Sequence, residues 1–433
     1  MDGTLDFSTI NENQIKICFD LININPKNVD AWVKLTQIYL RNQDFKMANI
    51  CINTAFECDE EINTLMLSMK AYYHLKVGEF NEARELYLYL ISFHKNLLNN
   101  ITPEDINYSL CIKKIRTFRF NLSEIEFHLG NKIKGFELYE YRDKKLQENF
   151  IDKADIIALS NVRELTFDEF KNKEFKKIIV LSEQGYGDQI MILRYLKPLM
   201  ELGFIVKYVC NKNLIDLFRS YSDLTNIKII EKINYEDIKN SDRIIWSMSL
   251  PLFFYKLNKK NCKSPKSPTI SSNLNVNLKN KKSINIGICW KGNPKNIRDK
   301  ERSIELKLFE NLFSKKTVNF FTLQKEISTE ERKFLNKYSN VIDYSNNLKN
   351  FKDTYLLMKN LQLIITVDTS LLHLAGSSDI KTVALLPYVP DPRWSISEDD
   401  FWYKNIKFLR QSKLNDWSQP FERLTKIIKE LPK

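Results

Sequence analysis

The chain has 433 residues, 43% hydrophobic and 12% aromatic, with a net charge of +12. This length and apolar content exclude a disordered chain and allow two or three domains, each with its own core. No apolar run approaches the ~20 residues that span a bilayer; the longest, "IIWSMSLPLFFY" at 244–255, is interrupted by Pro251. The opening "MDGTLDFSTINENQ" is acidic and polar, with neither the basic start nor the apolar centre of a secretory signal, so a cytoplasmic location is expected. Seven cysteines stand singly, with no metal-ligand spacing to the four histidines, which fits reduced thiols and no metal. Lysine is spread along the chain, and the densest basic run, "KLNKKNCKSPK" at 256–266, falls in a linker. Nucleic acid is therefore not an expected partner, whereas anionic ligands such as nucleotide phosphates are favoured.

Residues 1–150 are helical in pattern and carry a weak internal repeat. Trp32, Leu35 and Tyr39 follow the W-x2-L-x3-Y spacing of a tetratricopeptide first helix, and Ala48 with Ile52 continues into a second. The pattern returns at Leu67, Ala71, Gly78, Ala83 and Tyr87, and again at Leu122, Ser123, Gly130, Gly135 and Tyr139. An insertion of about half a repeat is expected near residues 97–107. An ordinary helical bundle is the plainer alternative. Repeats of this kind present a surface to a peptide or neighbouring subunit, so a protein partner or a homo-oligomer is expected here.

From residue 165 the texture becomes α/β. Apolar, β-branched runs at 176–182, 204–210, 226–230 and 243–246 read as strands of a parallel sheet with crossover helices. A Lys/Asn/Ser/Pro-rich linker follows at 258–282, and strands resume at 283–290, 318–324, 362–368 and 381–387, before a last helix near 417–431. The expected fold is a helical domain followed by two Rossmann-like domains, 165–257 and 283–433, facing a cleft.

Open α/β sheets bind ligands beyond the carboxyl ends of their strands. Five of the ten glycines are read at or near such ends: Gly185, Gly187, Gly287, Gly292 and Gly376. In "ITVDTSLLHLAG" (365–376) a strand ends at Asp368, and Thr369 or Ser370 caps a helix whose N-terminus suits a pyrophosphate. His373 on its first turn reads equally as a phosphate ligand and as a packed histidine. In "GICWKGNPKNIRDKERSIEL" (287–306) Lys291, Lys295, Arg298, Lys300 and Arg302 follow a strand, as a flexible loop of which two cations at most would clamp phosphate. In "SEQGYGDQ" (182–189) Asp188 starts a helix, either as a general base for an acceptor hydroxyl or simply as its cap. Trp394, Trp402 and Tyr403 read as sugar-site walls or as core.

Taken in order, "EQGYGDQIMILRYLKPL", "ICWKGNPKNIRDKERSI", "VDTSLLHLAG", "LLPYVPDPRW" and "FWYKNIKFLRQ" resemble the tetratricopeptide-repeat glycosyltransferases, related to the ADP-heptose:lipopolysaccharide heptosyltransferases of the GT-B fold. "GFELYEYR" (135–142) is similar to the end of that group's repeat region. The resemblance implies inverting, metal-independent transfer from a nucleotide sugar, with no cofactor. It implies Asp188 as the catalytic residue, and Asp368, Thr369, Ser370 and His373 at the donor phosphates. The basic donor ligand would be Lys300 or Arg302, with Arg302 favoured, and Gln324 would lie near the nucleoside. Lys291 and Gly292 are further donor-binding candidates. Glu183, Gln184, Gly185 and Gly187 would form the acceptor-side loop. The helical domain, and "SEQGYGD" in place of a simpler glycine–aspartate turn, point away from lipopolysaccharide and towards a protein acceptor. Alternatives are a glycan or lipid-carrier acceptor, a nucleotide-sugar epimerase on the same fold, and a non-catalytic scaffold with a decayed transferase domain.

Overall fold

The computed structural model describes residues 12–59, 63–146, 150–257, 266, 283–296, 298–394 and 402–431. The expected linker, 258–282, lies outside the described residues except for Lys266. The chain divides into two compact units, Met1–Asp143 with Asp391–Ile396, and Lys144–Pro390 with Ser397–Lys433.

The first unit is built from helices α1 (Glu12–Ile24), α2 (Val29–Asn42), α3 (Phe45–Cys58), α4 (Thr64–Val77), α5 (Phe80–Leu98), α6 (Ile106–His128) and α7 (Lys132–Tyr139). Each packs on the next. Their starts are set by side chains that accept the first free amides: Asn28, Asp44, Asn63 and Asp105. Small residues sit where helices approach most closely. Ala48 and Ala83 are fully buried, and a Cβ at Gly135 would lie 2.6 Å from the Phe127 ring. Helices α5 and α6 run to 19 and 23 residues, and the expected insertion point near 97–107 falls at the turn between them.

The second unit holds two sheets. Short helices α8 (Ile156–Ser160) and α9 (Phe167–Asn172) precede β1 (Lys177–Leu181), α10 (Tyr186–Glu201), β2 (Ile205–Val209), α11 (Lys212–Phe218), β3 (Lys228–Ile230), α12 (Tyr235–Lys239), β4 (Arg243–Trp246) and α13 (Leu250–Lys256). The second sheet is formed by β5 (Ile284–Cys289), β6 (Val318–Thr322), β7 (Val341–Ile342), β8 (Leu363–Val367), β9 (Thr382–Leu386) and β10 (Ile406–Arg410). Around it run α14 (Asp299–Arg302), α15 (Glu310–Phe313), α16 (Thr329–Leu335), α17 (Phe351–Met358), α18 (Ser370–Ser377) and α19 (Ser418–Lys429). The strand orders are β3-β2-β1-β4 and β10-β9-β8-β5-β6-β7, and every described pairing is parallel. Every residue of β5, β6, β8 and β9 is buried, as parallel strands covered on both faces require.

Residues 144–146 and 150, which the sequence reading puts in the helical domain, group with the second unit. Phe150, Ile151 and Leu159 are buried with Ile179, Leu181 and Trp246 of the first sheet, and Glu164 accepts from Trp246 Nε1 at 2.8 Å. Strands β7 and β10 add to the four expected in the second sheet. Cys18, Cys51, Cys58, Cys111, Cys210 and Cys289 are all free thiols. No helix among the described residues is long and apolar enough to cross a membrane.

One ion pair gives the first sheet a pH dependence. Glu169 accepts from Arg243 Nη2 at 3.0 Å and, in a capping box, from Thr166 N at 2.9 Å. The Arg243 bonds, then the Thr166 amide, hold its carboxyl at about 2, below the ordinary 4.5. A depressed carboxyl contributes stability above its unfolded value and loses it as the pH falls through its folded value. Glu169→Gln is therefore expected to melt below the parent at neutral pH, with the gap closing between pH 4.5 and about pH 2 in melts across that range.

Candidate active site

In the first sheet the strand order reverses between β1 and β4, which opens a crevice beyond their carboxyl ends. Glu183 spans it. Its side chain is buried, and Oε1 accepts from Met248 N, just past β4, at 3.0 Å. The left-handed residue of this turn is Gln184, at φ 62°; Gly185 is extended, and neither it nor Gly187 has positive φ. Asp188 lies on the first turn of α10, where Oδ2 accepts from Gly185 N at 3.0 Å and Oδ1 is buried. The carboxylate thus caps its helix with one oxygen. Behind it, Gln189 Oε1 accepts from Asn211 N at 2.9 Å and fixes the first turn of α10 to the residue that caps α11.

The second sheet reverses between β5 and β8. Beyond β8, buried Asp368 precedes Thr369, whose hydroxyl lies 3.3 Å from Thr366 Oγ1 and accepts from Leu371 N to cap α18. Just past β6, Gln324 Oε1 accepts from Lys291 N and Cys289 Sγ at the end of neighbouring β5, each at 3.3 Å. Burial pushes the Cys289 thiol up to about 11, against bonds from Thr366, the Lys291 backbone and Thr369 and the charge of Arg302. Cys289 is therefore a neutral, packed thiol. Those same partners bring Lys291, Arg302, Gln324 and Thr369 around one point at the strand ends.

Three cations of the basic loop are paired with carboxylates. Lys291 Nζ lies 2.5 Å from Glu331 Oε2, Arg298 Nε 2.9 Å from Glu301 Oε2, and Arg302 Nε 3.3 Å from Asp299 Oδ1. Burial opposes the charge on Glu331, but Lys291, Ser328 N and Trp290 together hold its carboxyl below the ordinary range. Gly292 serves this bracing. Its amide donates to Ser303 Oγ, which donates to Asp299 Oδ2, and a Cβ at Gly292 would meet Asp299 Oδ1 at 2.3 Å. Lys295 and Lys300 are exposed. Asp299 and Glu331 were not singled out from sequence. An acid three residues before Arg302 was a readable signal; Glu331, 40 residues from Lys291, gave none.

The two halves of this unit meet directly, α10 on α18 and α11 on α17. A Cβ at Gly187 would lie 2.6 Å from His373 Cδ2, so this glycine admits the His373 ring rather than making room for a substrate. His373 is buried, with Nδ1 3.0 Å from the Tyr403 hydroxyl. Gly376 accepts the Tyr403 ring face, since a Cβ there would lie 2.3 Å from Cγ. Gly287 lies against Leu323, Leu361 and Ile364, a packing position rather than a ligand position. Trp394, Trp402 and Tyr403 are buried side chains. Arg194, on the third turn of α10, lies 5.0 Å from the Trp402 ring and 4.7 Å from the Tyr403 ring, and donates to Trp402 O at 2.7 Å. Among the described residues no three His, Cys, Asp or Glu side chains converge as a metal site.

No family model and no curated protein matches the sequence. Among solved structures the chain is similar to E. coli heptosyltransferase WaaC with ADP-2-deoxy-2-fluoro heptose, at 10% identity and TM-score 0.38, over 59% of this chain and 99% of that one. It is similar to E. coli ADP-heptose LPS heptosyltransferase II at 12% identity and TM-score 0.41, with the same coverage of 59% and 99%. A glycosyl transferase family 9 structure from Veillonella parvula DSM 2008 aligns at 12% identity and TM-score 0.40, over 60% of this chain and 90% of that one.

Proposed function

We propose that this protein is an inverting, metal-independent glycosyltransferase that moves a sugar from a nucleotide-sugar donor to an acceptor hydroxyl, on a protein recruited by the helical unit. The observation that carries the proposal is the contact of Gly187 with His373. It brings Asp188 beside the first turn of α18, where the partial positive charge of a helix N-terminus favours a diphosphate. Asp368, Thr369, Ser370 and His373 then belong to the donor phosphates, with Arg302 and Lys291 across the β5–β8 crevice, Gly292 holding their loop, and Gln324 towards the nucleoside.

Transfer would be a single displacement. The acceptor oxygen attacks the anomeric carbon, the bond from that carbon to the phosphate oxygen breaks, and its electron pair leaves on the nucleoside diphosphate. The acceptor proton passes to Asp188 Oδ1 or Oδ2. Gln184 and Gly185, held by the Glu183 brace, would form the wall on which the acceptor rests, with Gly187 behind them seating the His373 ring.

The expected result is that one nucleotide class binds the full chain in a panel of ADP-, UDP-, GDP- and CMP-sugars read by native mass spectrometry. With that donor, mass increments should appear on a folded protein and not on a free glycan or lipid carrier. Failure of every donor to bind would overturn the transferase reading, and transfer to glycan alone would overturn the protein acceptor.

A further inference from the structure

Four groups run in sequence between the halves of the second unit. The Arg194 guanidinium from α10 lies 4.7 Å from the Tyr403 ring centre. The Tyr403 hydroxyl is 3.0 Å from His373 Nδ1. The opposite edge of His373, Cδ2 and Nε2, faces Gly187, at 2.6 and 3.3 Å from where its Cβ would be. The run therefore begins on the third turn of α10 and returns to its first turn, beside Asp188.

We propose that Tyr403 is the positioning residue for His373: its hydroxyl donates to Nδ1 and keeps the imidazole proton on Nε2, turned towards the Gly187–Asp188 turn. Two facts set this direction. An imidazole nitrogen is a better acceptor than a phenol oxygen, and a cation held against the tyrosine ring polarises its hydroxyl as a donor. Which nitrogen carries the proton is fixed by the bond the other one makes. Ring orientation is fixed by packing, since Tyr403 lies flat on Gly376 and His373 fills the space over Gly187. Resting on the transferase reading, the Nε2 proton is a fixed hydrogen-bond donor to the departing phosphate, and Tyr403 acts on the reaction only through it.

Tyr403→Phe removes the hydroxyl and keeps both the ring on Gly376 and the Arg194 contact. Nitrogen-15 spectra of histidine-labelled full chain, with the His373 signal identified by His373→Gln, read the tautomer without donor or acceptor. The expected result is a protonated Nε2 and a bare Nδ1 in the parent, and a mixture of tautomers in Tyr403→Phe. In transfer assays the variant should lose about tenfold in kcat, the scale of one neutral hydrogen bond, with donor KM and melting temperature near the parent's. A parent with the proton on Nδ1, or a variant spectrum equal to the parent's, overturns the assignment whether or not any sugar is transferred. A variant with parental kcat overturns the role in transfer. If Tyr403→Phe fails to fold, the parent spectrum alone still decides the direction of the bond.

Discussion

Asp188→Asn is expected to lower sugar transfer by roughly 10²–10⁴-fold, the share a positioned general base ordinarily supplies. The substitution separates the two duties of this side chain. As a cap, Asp188 needs only an oxygen to accept from Gly185 N, now at 3.0 Å, and the amide of asparagine retains one. Donor binding and melting temperature should therefore stay near the parent's while single-turnover transfer collapses. Asp188→Ala loses the cap as well and should cost a further ~1 kcal/mol of stability. Parental turnover in Asp188→Asn would leave the residue with capping alone.

The largest effect on stability is expected at Arg194. Its guanidinium is buried, donates to Met191 O at 3.1 Å and to Trp402 O at 2.7 Å, and lies against two aromatic rings. Arg194→Ala leaves a cavity between α10 and those rings and removes the donor to a carbonyl from the other half. The combined cost is about 3 kcal/mol, or roughly 6–10 °C in the melting of the second unit. Arg194→Met refills the volume without the charge and should recover about half of that loss. Equal melting of Arg194→Ala and the parent would show that the halves are held by other contacts.

Much of the fold was legible because buried parallel strands announce themselves as short β-branched runs. The two strands that sequence did not mark have physical reasons to be quiet. Val341–Ile342 is only two residues long and partly exposed, and Ile406–Arg410 interleaves Lys407 and Arg410 with its buried positions. The site was legible where chemistry is local: Thr369 does cap α18, and Asp188 does open α10. It was misread where the reason for a residue lies far along the chain. Gly187 is explained by His373, 186 positions away, and nothing near it in sequence carries that information. In the basic loop the cations stand out in sequence but their carboxylates do not, since one of them, Glu331, arrives from α16.

That bracing decides which anions the crevice will notice. A ligand that approaches Lys291, Arg298 or Arg302 meets a cation already satisfied, and must exchange places with a carboxylate rather than fill an empty charge. A single small anion gains little from such an exchange, because the displaced carboxylate must find new solvation. In the proposed donor site, an extended dianion that reaches the α18 N-terminus and two of the cations at once would recover more than it displaces. On the proposed transferase reading, the paired loop would act as a filter that favours a diphosphate of the right span over a single small anion.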